Sequence, residues 1–282
     1  MTAPHITMIL RFSAFLLIAT HLHAEEVKPP RDASWKLVWS DEFNTDGPPD
    51  PQVWDFESGF ERNRELQWYQ KENVVCRDGS LVFEARREKV ENPRFKSGSR
   101  DWRQARKFAQ YTSASLITKP RLSWKYGRFE IRARFPAKDG LWPAIWTTGH
   151  GRWPDSGEID IMEFYRRQIL ANFVHANEHG RDKWNSSHHP IESFDLATWD
   201  ERFHLWVMEW TEERIDIYLD GRLLNSHDVT KSFNGNDPQR NPFREPHRLR
   251  LNLAIGGQGG DPSKTRFPQR YEVDHVRIYQ KK

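Results

Sequence analysis

The chain has 282 residues, a net charge of +3 and a hydrophobic fraction of 37%. This length suits one β domain of sandwich size, and the mild charge gives no reason to expect a nucleic-acid partner. Cys76 is the only cysteine, so it cannot form an intramolecular disulfide, and we expect it to be a small buried hydrophobe. No later run approaches the roughly 18 apolar residues of a membrane-spanning helix, and we expect a monomer.

The N-terminus has the order of a secretory signal. Arg11 precedes the short apolar run Phe12–Thr20, and the small residue Ala24 ends the segment. The pattern predicts a cleaved signal peptide over residues 1–24 and a secreted or periplasmic protein, with a buried helix as the alternative. Residues 25–34 then form a short tether, and residues 35–282 form one domain, because no internal repeat or linker divides them.

The segment from Arg86 to Gln110 is strongly basic. It holds nine Lys or Arg residues against three Asp or Glu residues and shows little apolar periodicity. The pattern predicts a long, solvated surface loop. A nucleic-acid patch and a contact surface for an acidic or sulfated polymer are the alternatives.

Apolar residues recur with a period of two, which indicates strands. Strands are predicted over residues 126–135, 203–210, 213–219, 248–255 and 271–279. Asp78-Gly79 and Asp220-Gly221 each join two such runs, and this dipeptide favours a tight hairpin. No stretch predicts a long amphipathic helix. The fold class is therefore all-β, an antiparallel β-sandwich of the jelly-roll type.

Three acidic residues lie close together in the segment Gly157–Phe164. Alternation places Glu158 and Asp160 on one face of a strand, whereas Glu163 would point into the core with the isoleucines. Burying a lone carboxylate is costly, so we expect a β-bulge near Ile161-Met162 that returns Glu163 to the polar face.

Three like charges on one face repel each other, which favours catalysis over a purely structural role. Repulsion raises the pKa of one acid, which can then donate a proton, while another stays ionised. Glu158 and Glu163 would lie about 13 Å apart at Cα after the bulge. Inward-leaning side chains could bring their carboxyl groups to the ~5–5.5 Å of a retaining glycosidase. A solvent-facing acidic strand and a cation site are the alternatives.

The segment Gly157–Phe164 resembles the signature strand of glycoside hydrolase family 16 in its bulged, laminarinase-like form. Further matches follow in chain order: Trp39–Phe43, Tyr111–Ala114, Tyr126–Arg128, Gly140–Ala144 with Trp146, Asn252–Gly257 and Val273–Arg277. The resemblance implies a concanavalin A-like jelly roll with a concave substrate cleft. It also implies that Glu158 is the nucleophile, Glu163 the acid/base, and Asp160 the residue that orients the nucleophile.

The resemblance extends to the surroundings of these acids. The candidate substrate-binding residues are Trp142, Trp146, Trp153, Asn63, Glu65, Gln67 and His175. For the tryptophans the alternative is core packing, although thirteen tryptophans in one chain favour sugar platforms for some of them. For the polar segment 63–67 the alternative is an ordinary alternating loop-strand, and for His175 it is a hydrogen-bonded core histidine.

Two departures concern the substrate. Relatives that act on β-1,3-glucan often have arginine where this chain has Ser115, and residues 164–168 lack a small glycine-containing turn. The resemblance implies a retaining endo-glycosidase acting on a β-linked polysaccharide, with β-1,3-glucan as the favoured substrate. An endo-hydrolase of galactans, including agar, carrageenan and host-type glycans, and a non-catalytic carbohydrate-binding protein are the alternatives.

The resemblance also suggests a structural calcium ion away from the cleft, whereas catalysis requires no cofactor. The implied ligands are Glu42, the carbonyl of Gly79, and Asp274, and calcium takes six to eight oxygens. The alternative is that the two carboxylates pair with arginine or with nearby backbone.

Overall fold

The computed structural model describes residues 34–233, 235, 237 and 239–282. The predicted signal peptide and all but the last residue of the tether lie outside these residues. Strands are the main regular structure of the described residues. Their strands are β1 (Trp35–Asp41), β2 (Trp54–Phe56), β3 (Gln67–Tyr69), β4 (Val74–Arg77), β5 (Ser80–Ala85), β6 (Val90–Glu91), β7 (Phe108–Ala109), β8 (Tyr111–Ser113), β9 (Ser115–Thr118), β10 (Gly127–Arg134), β11 (Leu141–Gly149), β12 (Glu158–Tyr165), β13 (Gln168–Ala176), β14 (Asp182–Pro190), β15 (His204–Trp210), β16 (Arg214–Leu219), β17 (Arg222–Asp228), β18 (His247–Ile255) and β19 (Gln269–Lys281).

Two antiparallel sheets make up the jelly roll. One has the order β17-β16-β15-β10-β19-β5-β4, with β1 also paired to β19. The other has the order β14-β13-β12-β11-β18-β9-β2. Two short pairs, β3 with β8 and β6 with β7, lie outside these sheets. The predicted fold class is confirmed.

The predicted strands and hairpins correspond to β10, β15, β16, β18 and β19 and to two tight turns. Asp78-Gly79 joins β4 to β5, and Asp220-Gly221 joins β16 to β17. All four turn residues have positive φ, between 48° and 83°. This is the geometry of the hairpin turn that matches strand twist, and Asp-Gly adopts it at little cost.

Alternation fills the space between the sheets with apolar side chains. On β12, Ile159 and Ile161 are fully buried, and they belong to the same cluster as Trp206 and Trp210 on β15 of the facing sheet. Cys76 is also buried, and burial raises the pKa of its thiol to about 12. The core therefore uses one face of each sheet, and the other face of the β12 sheet is left for a site.

The basic segment 86–110 is not the solvated loop that the sequence predicts. It contains β6, β7 and a short helix α1 (Trp102–Ala105), and it encloses a small second apolar cluster around Phe60, Trp68 and Ala109. Arg106 stacks over Phe60 with its guanidinium carbon 3.7 Å from the ring centroid. Arginine stems and planes supply the packing here, which a count of apolar residues cannot reveal.

Short helical turns account for the helices of the described chain. Besides α1 there are five 3-10 turns: Lys71–Asn73, Ile191–Ser193, Val229–Lys231, Pro242–Arg244 and Gly257–Gly259. Within the residues described, no helix has the length and apolar character needed to cross a membrane.

Candidate active site

The three acids of β12 share one face because the strand bulges. Across to β11, Glu158 pairs with Thr148, Asp160 with Trp146 and Glu163 with Ala144. Successive partners on β11 are two residues apart. On β12, Glu158 and Asp160 are also two residues apart, whereas Asp160 and Glu163 are three apart. The extra residue lies between Asp160 and Glu163, and the register to β13 shifts at the same place. The predicted bulge is confirmed.

Glu163 is surrounded by neutral hydrogen-bond donors. The indole nitrogen of Trp142 lies 2.7 Å from Oε1, and the amide of Asn172 lies 2.9 Å from Oε2. Asp160 also hydrogen-bonds to Glu163. Burial raises the pKa of Glu163, and these hydrogen bonds oppose the rise. Glu163 can therefore hold or release a proton in this setting.

Glu158 has a different environment. Burial and the charge of Glu163 raise its pKa, whereas the positive charges of Arg250 and Arg62 favour its ionised form. The indole of Trp153 also hydrogen-bonds to it. Arg250, Arg62 and the Trp153 indole therefore favour the ionised form of Glu158, and Trp142, Asn172 and Asp160 favour that of Glu163. Burial still keeps both pKa values raised, to about 8 for Glu158 and about 7 for Glu163.

Asp160 hydrogen-bonds to Glu163 and also interacts electrostatically with Glu158. The amide of Asn172, directly opposite Asp160 on β13, lies 3.2 Å from Asp160 and also donates to Glu163. Burial raises the pKa of Asp160 far above its ordinary value, and the two glutamates add to this rise. A protonated Asp160 can then donate to Glu163. The expected role of Asp160 in orienting Glu158 stays a prediction.

The carboxylates lie in a cleft of about 710 Å³. Its floor consists of strands β11, β12, β13, β14 and β18, and one wall is the loop between β2 and β3. Of the predicted residues, the cleft contains the three acids together with Trp142, Trp146, Trp153, Asn63 and Glu65. The cleft is open and polar enough to hold several sugar units.

Trp142 and Trp146 line the cleft but are not free sugar platforms. Trp142 is only 8% exposed, its nitrogen is bonded to Glu163, and its ring lies against Tyr165. Trp146 donates to Asn252 over 2.7 Å, and two guanidinium groups lie over its ring. Both residues therefore have structural contacts that the sequence does not reveal.

Trp153 and Trp184 form the exposed aromatic surface of the cleft. They are 45% and 44% exposed, and their ring centroids lie 6.5 Å apart. Trp184 lies on the edge strand β14, far along the chain from Trp153, and no local sequence pattern indicates that it faces the cleft. Exposed indole faces of this kind suit the C–H faces of sugar rings.

The polar segment 63–67 is divided between cleft and core. Asn63 and Glu65 line the cleft, and Asn63 donates to Glu65 over 3.3 Å. Gln67 lies behind them. It donates to Glu65 over 2.6 Å and accepts from the backbone of Ile255 over 2.7 Å. Gln67 thus positions Glu65 and does not face the cleft.

His175 does not belong to the cleft. It lies an odd number of residues from Asn172 on β13, so its side chain points to the opposite face. It is 2% exposed, hydrogen-bonds to the carbonyl of Ala176 and packs near Phe243. Burial lowers its pKa. The substrate-binding prediction for His175 is wrong, and the core alternative is the correct one.

The side chains predicted to bind calcium are paired with cations. Both carboxylate oxygens of Glu42 bind Arg277, at 3.0 and 2.9 Å, and Asp274 binds His275 and Arg132. Gly79 forms the tight turn between β4 and β5. Across the described part of the chain, no group of three or more acidic, His or Cys side chains is placed to hold a metal. These residues do not fit a calcium shell, and the ion stays a prediction from the resemblance alone.

Comparison with known proteins agrees with the fold. The sequence profile of Glycosyl hydrolases family 16 matches residues 61–277. A β-glucanase of Rhodothermus marinus is 37% identical over 271 residues, covering 87% of this chain and 85% of that protein. The catalytic domain of an endo-1,3-β-glucanase (laminarinase) from Thermotoga petrophila is 34% identical, with a TM-score of 0.71 over 88% of this chain and 98% of that one.

A second solved structure comes from work on endo-acting O-glycanases that human gut bacteria express to initiate mucin breakdown. It is also 34% identical, with a TM-score of 0.81 over 90% of this chain and 94% of that one. The profile match covers most of the chain, which is sufficient to assign the family. This chain belongs to family 16 of the glycosyl hydrolases and is a glycoside hydrolase acting on O-glycosyl bonds.

Proposed function

We propose that the protein is a retaining endo-glycosidase in which Glu158 is the nucleophile and Glu163 the acid/base. The observation that carries this proposal is the bulge that sets both residues on the cleft face of β12 in unlike surroundings. Cations beside Glu158 favour an anion that can attack. Neutral donors around Glu163 suit a group that must gain and lose a proton.

The reaction follows in two steps. Glu163 donates its proton to the glycosidic oxygen while the Glu158 carboxylate attacks the anomeric carbon, so the leaving chain departs as an alcohol. Glu163, now ionised, takes a proton from water, and the resulting hydroxide displaces Glu158 from the sugar. Two inversions restore the β-configuration. Asp160 and Asn172 would hold Glu163 in place through both steps.

The first candidate substrate is β-1,3-glucan. The Thermotoga petrophila laminarinase domain supports it, and the Rhodothermus marinus β-glucanase supports a β-glucan more broadly. An open cleft accommodates an internal stretch of chain, which suits endo cleavage.

The second candidate is a galactose-containing host glycan of the mucin type. The specific observation in its favour is the TM-score of 0.81 with the O-glycanase-related structure, against 0.71 with the laminarinase domain at the same identity of 34%. At the same sequence identity, the backbone of this chain therefore superposes better on the O-glycanase-related structure than on the laminarinase domain.

We further propose that the mature enzyme is secreted or periplasmic and acts as a monomer. The predicted signal peptide supports export, which suits an enzyme that acts on a polysaccharide outside the cell.

A substrate panel tests the function. Purified protein is incubated with laminarin, lichenan, agarose, carrageenan and mucin-type glycans, and products are sized. Internal cleavage of one polymer, with the β-anomer appearing first in proton NMR, is the expected result. An initial α-anomer would refute the retaining mechanism, and binding without any product would favour the non-catalytic alternative.

A further inference from the structure

Two exposed indole rings lie next to each other in the cleft. Of the large apolar side chains that are exposed in the described part of the chain, only Trp153 and Trp184 line the cleft. The planes of their rings are inclined to each other by 52°. The other two indoles of the cleft, Trp142 and Trp146, are held by neighbouring side chains. The apolar surface that a ligand can reach is therefore concentrated at Trp153 and Trp184.

Trp184 lies level with the nucleophile candidate, two strands away. Glu158 on β12 is directly opposite Val174 on β13, and Val174 is directly opposite Trp184 on β14. Residues that are directly opposite in an antiparallel pair share one face of the sheet. Because neighbouring strands are about 4.8 Å apart, Trp184 is about 10 Å from Glu158 at the backbone, a length comparable to about two pyranose units of a β-linked chain.

Trp153 connects these two positions. It lies in the loop between β11 and β12, its indole hydrogen-bonds to Glu158, and its ring lies next to that of Trp184. Two backbone bonds, Ser156 to Arg152 over 2.9 Å and Gly157 to Pro154 over 3.0 Å, fix the turn that carries it. Val174, between Glu158 and Trp184, is fully buried and offers no surface. The accessible surface that leads from Glu158 towards β14 is therefore aromatic.

The ring of Trp184 is fixed at the edge of the sheet. Its indole nitrogen donates to Oδ2 of Asp182 over 2.7 Å. This bond occupies the one N–H of the ring, so Trp184 offers a ligand an apolar surface and no donor. β14 is the last strand in the order of its sheet. A ligand that reaches both Glu158 and Trp184 must therefore extend across the cleft to its edge.

We propose that Trp184 forms an additional sugar-binding subsite, the last on the β14 side of the cleft, which stacks on a pyranose unit about two units along the chain from the sugar held at Glu158. Trp153 would contact the unit between them. This inference rests on the proposed endo-glycosidase function and deepens it. Contacts with units remote from the cleaved bond raise kcat/KM, so the enzyme should prefer chains long enough to reach Trp184.

The test measures kcat/KM against chain length. The substrates are oligosaccharides of three to eight units, prepared from the panel polymer that wild type cleaves. The variants are Trp184→Ala, Trp184→Phe and the control Phe233→Ala, an aromatic residue that is also 44% exposed but lies outside the cleft lining. Trp184 is half exposed on an edge strand, so we expect its variants to fold, and thermal melts check this.

For wild type we expect kcat/KM to rise with length and to level off. Trp184→Ala should lose at least tenfold on the octasaccharide, mainly through KM, and less than twofold on the shortest oligosaccharide that wild type cleaves. Trp184→Phe should keep most of the gain with length, since it keeps an aromatic face, and Phe233→Ala should match wild type.

Three results would overturn the proposal. An equal loss at every length would show a structural effect, and an unchanged length dependence in Trp184→Ala would show that no sugar unit stacks there. A changed oligomeric state of Trp184→Ala in size-exclusion chromatography, with unchanged kinetics, would assign the exposed ring to a protein contact.

Affinity electrophoresis separates this proposal from the function on which it rests. Each polymer of the panel is cast into a native gel, and Glu158→Gln is compared with the double variant Glu158→Gln/Trp184→Ala, because retardation requires binding and no turnover. We expect the double variant to be retarded less. If wild type cleaves no polymer of the panel, the endo-glycosidase function fails; the Trp184 subsite then stands if retardation depends on Trp184 and fails if it does not.

Discussion

Replacement of Trp142 by Phe tests the environment of the acid/base candidate. The change removes the indole N–H that lies 2.7 Å from Glu163 and keeps most of the ring that packs against Tyr165. A hydrogen bond to a charged group contributes about 1.5–3 kcal/mol. Because one pKa unit corresponds to about 1.36 kcal/mol, loss of this bond should raise the pKa of Glu163 by about 1–2 units.

Loss of the Trp142 bond should shift the pH profile of the enzyme to higher pH. Burial raises the pKa of Glu163, and the Trp142 bond opposes the rise, so its removal lets the acid stay protonated to higher pH. The basic limb of the kcat/KM profile should move up by about 1–2 pH units. The rate at the optimum should fall about 10- to 100-fold, because the carboxylate formed on proton donation loses the same bond.

The assay is the pH dependence of kcat/KM on a substrate that the wild type cleaves. Trp146→Phe is the matched control, since it lies on the same strand and loses an N–H bond of the same length, but to Asn252. Its basic limb should stay in place. An unmoved limb in Trp142→Phe, or an equal movement in both variants, would refute the assignment of Glu163.

Three other predictions concern stability and the cleft loop. Burial and Glu163 raise the pKa of Glu158, so ionisation of Glu158 destabilises the fold as pH rises above its ordinary value. Glu158→Gln should therefore melt a few degrees higher than wild type at pH 8, and by less at pH 5; equal differences at both pH values would argue against a buried charge. Arg106→Met should raise KM several-fold with little change in kcat, because the bond to the Glu65 carbonyl is lost, and Arg100→Met, an exposed control in the same segment, should leave KM unchanged. Melts of metal-stripped protein with calcium and with chelator should coincide, because both carboxylates near the chain ends are paired with arginine; a higher melting temperature in calcium would establish the site that the resemblance suggests.

Local patterns were sufficient to predict the framework of the site. Alternation identified β10, β15, β16, β18 and β19, because each has one face in the apolar core and carries more polar residues on the other. The bulge in β12 followed from the cost of burying Glu163 alone, which is a local argument about one side chain. Features that depend on near neighbours along the chain can therefore be predicted from the sequence.

Contacts between distant segments could not be predicted in this way. Arg62 reaches Trp146 and Arg250 only because the loop before β3 folds over β11 and β18, and nothing in its own sequence indicates that contact. His175 points away from the cleft, contrary to the prediction, because it lies three residues after Asn172 on β13 and therefore on the opposite face of the strand. The basic segment 86–110 packs through arginine stacking, which carries no apolar periodicity.

The roles of Glu158 and Glu163 are tested most directly by azide rescue of two variants on an aryl glycoside with a good leaving group. In Glu158→Ala, azide should enter the space of the missing nucleophile and attack the sugar with one inversion, giving an α-glycosyl azide. In Glu163→Ala, the glycosyl-enzyme still forms on Glu158, and azide should displace it from the opposite face, giving a β-glycosyl azide. Proton NMR of the products distinguishes the two anomers. We expect the α-azide from Glu158→Ala and the β-azide from Glu163→Ala. The reverse pairing would exchange the roles of the two glutamates, and ordinary hydrolysis by either variant without azide would refute the assignment.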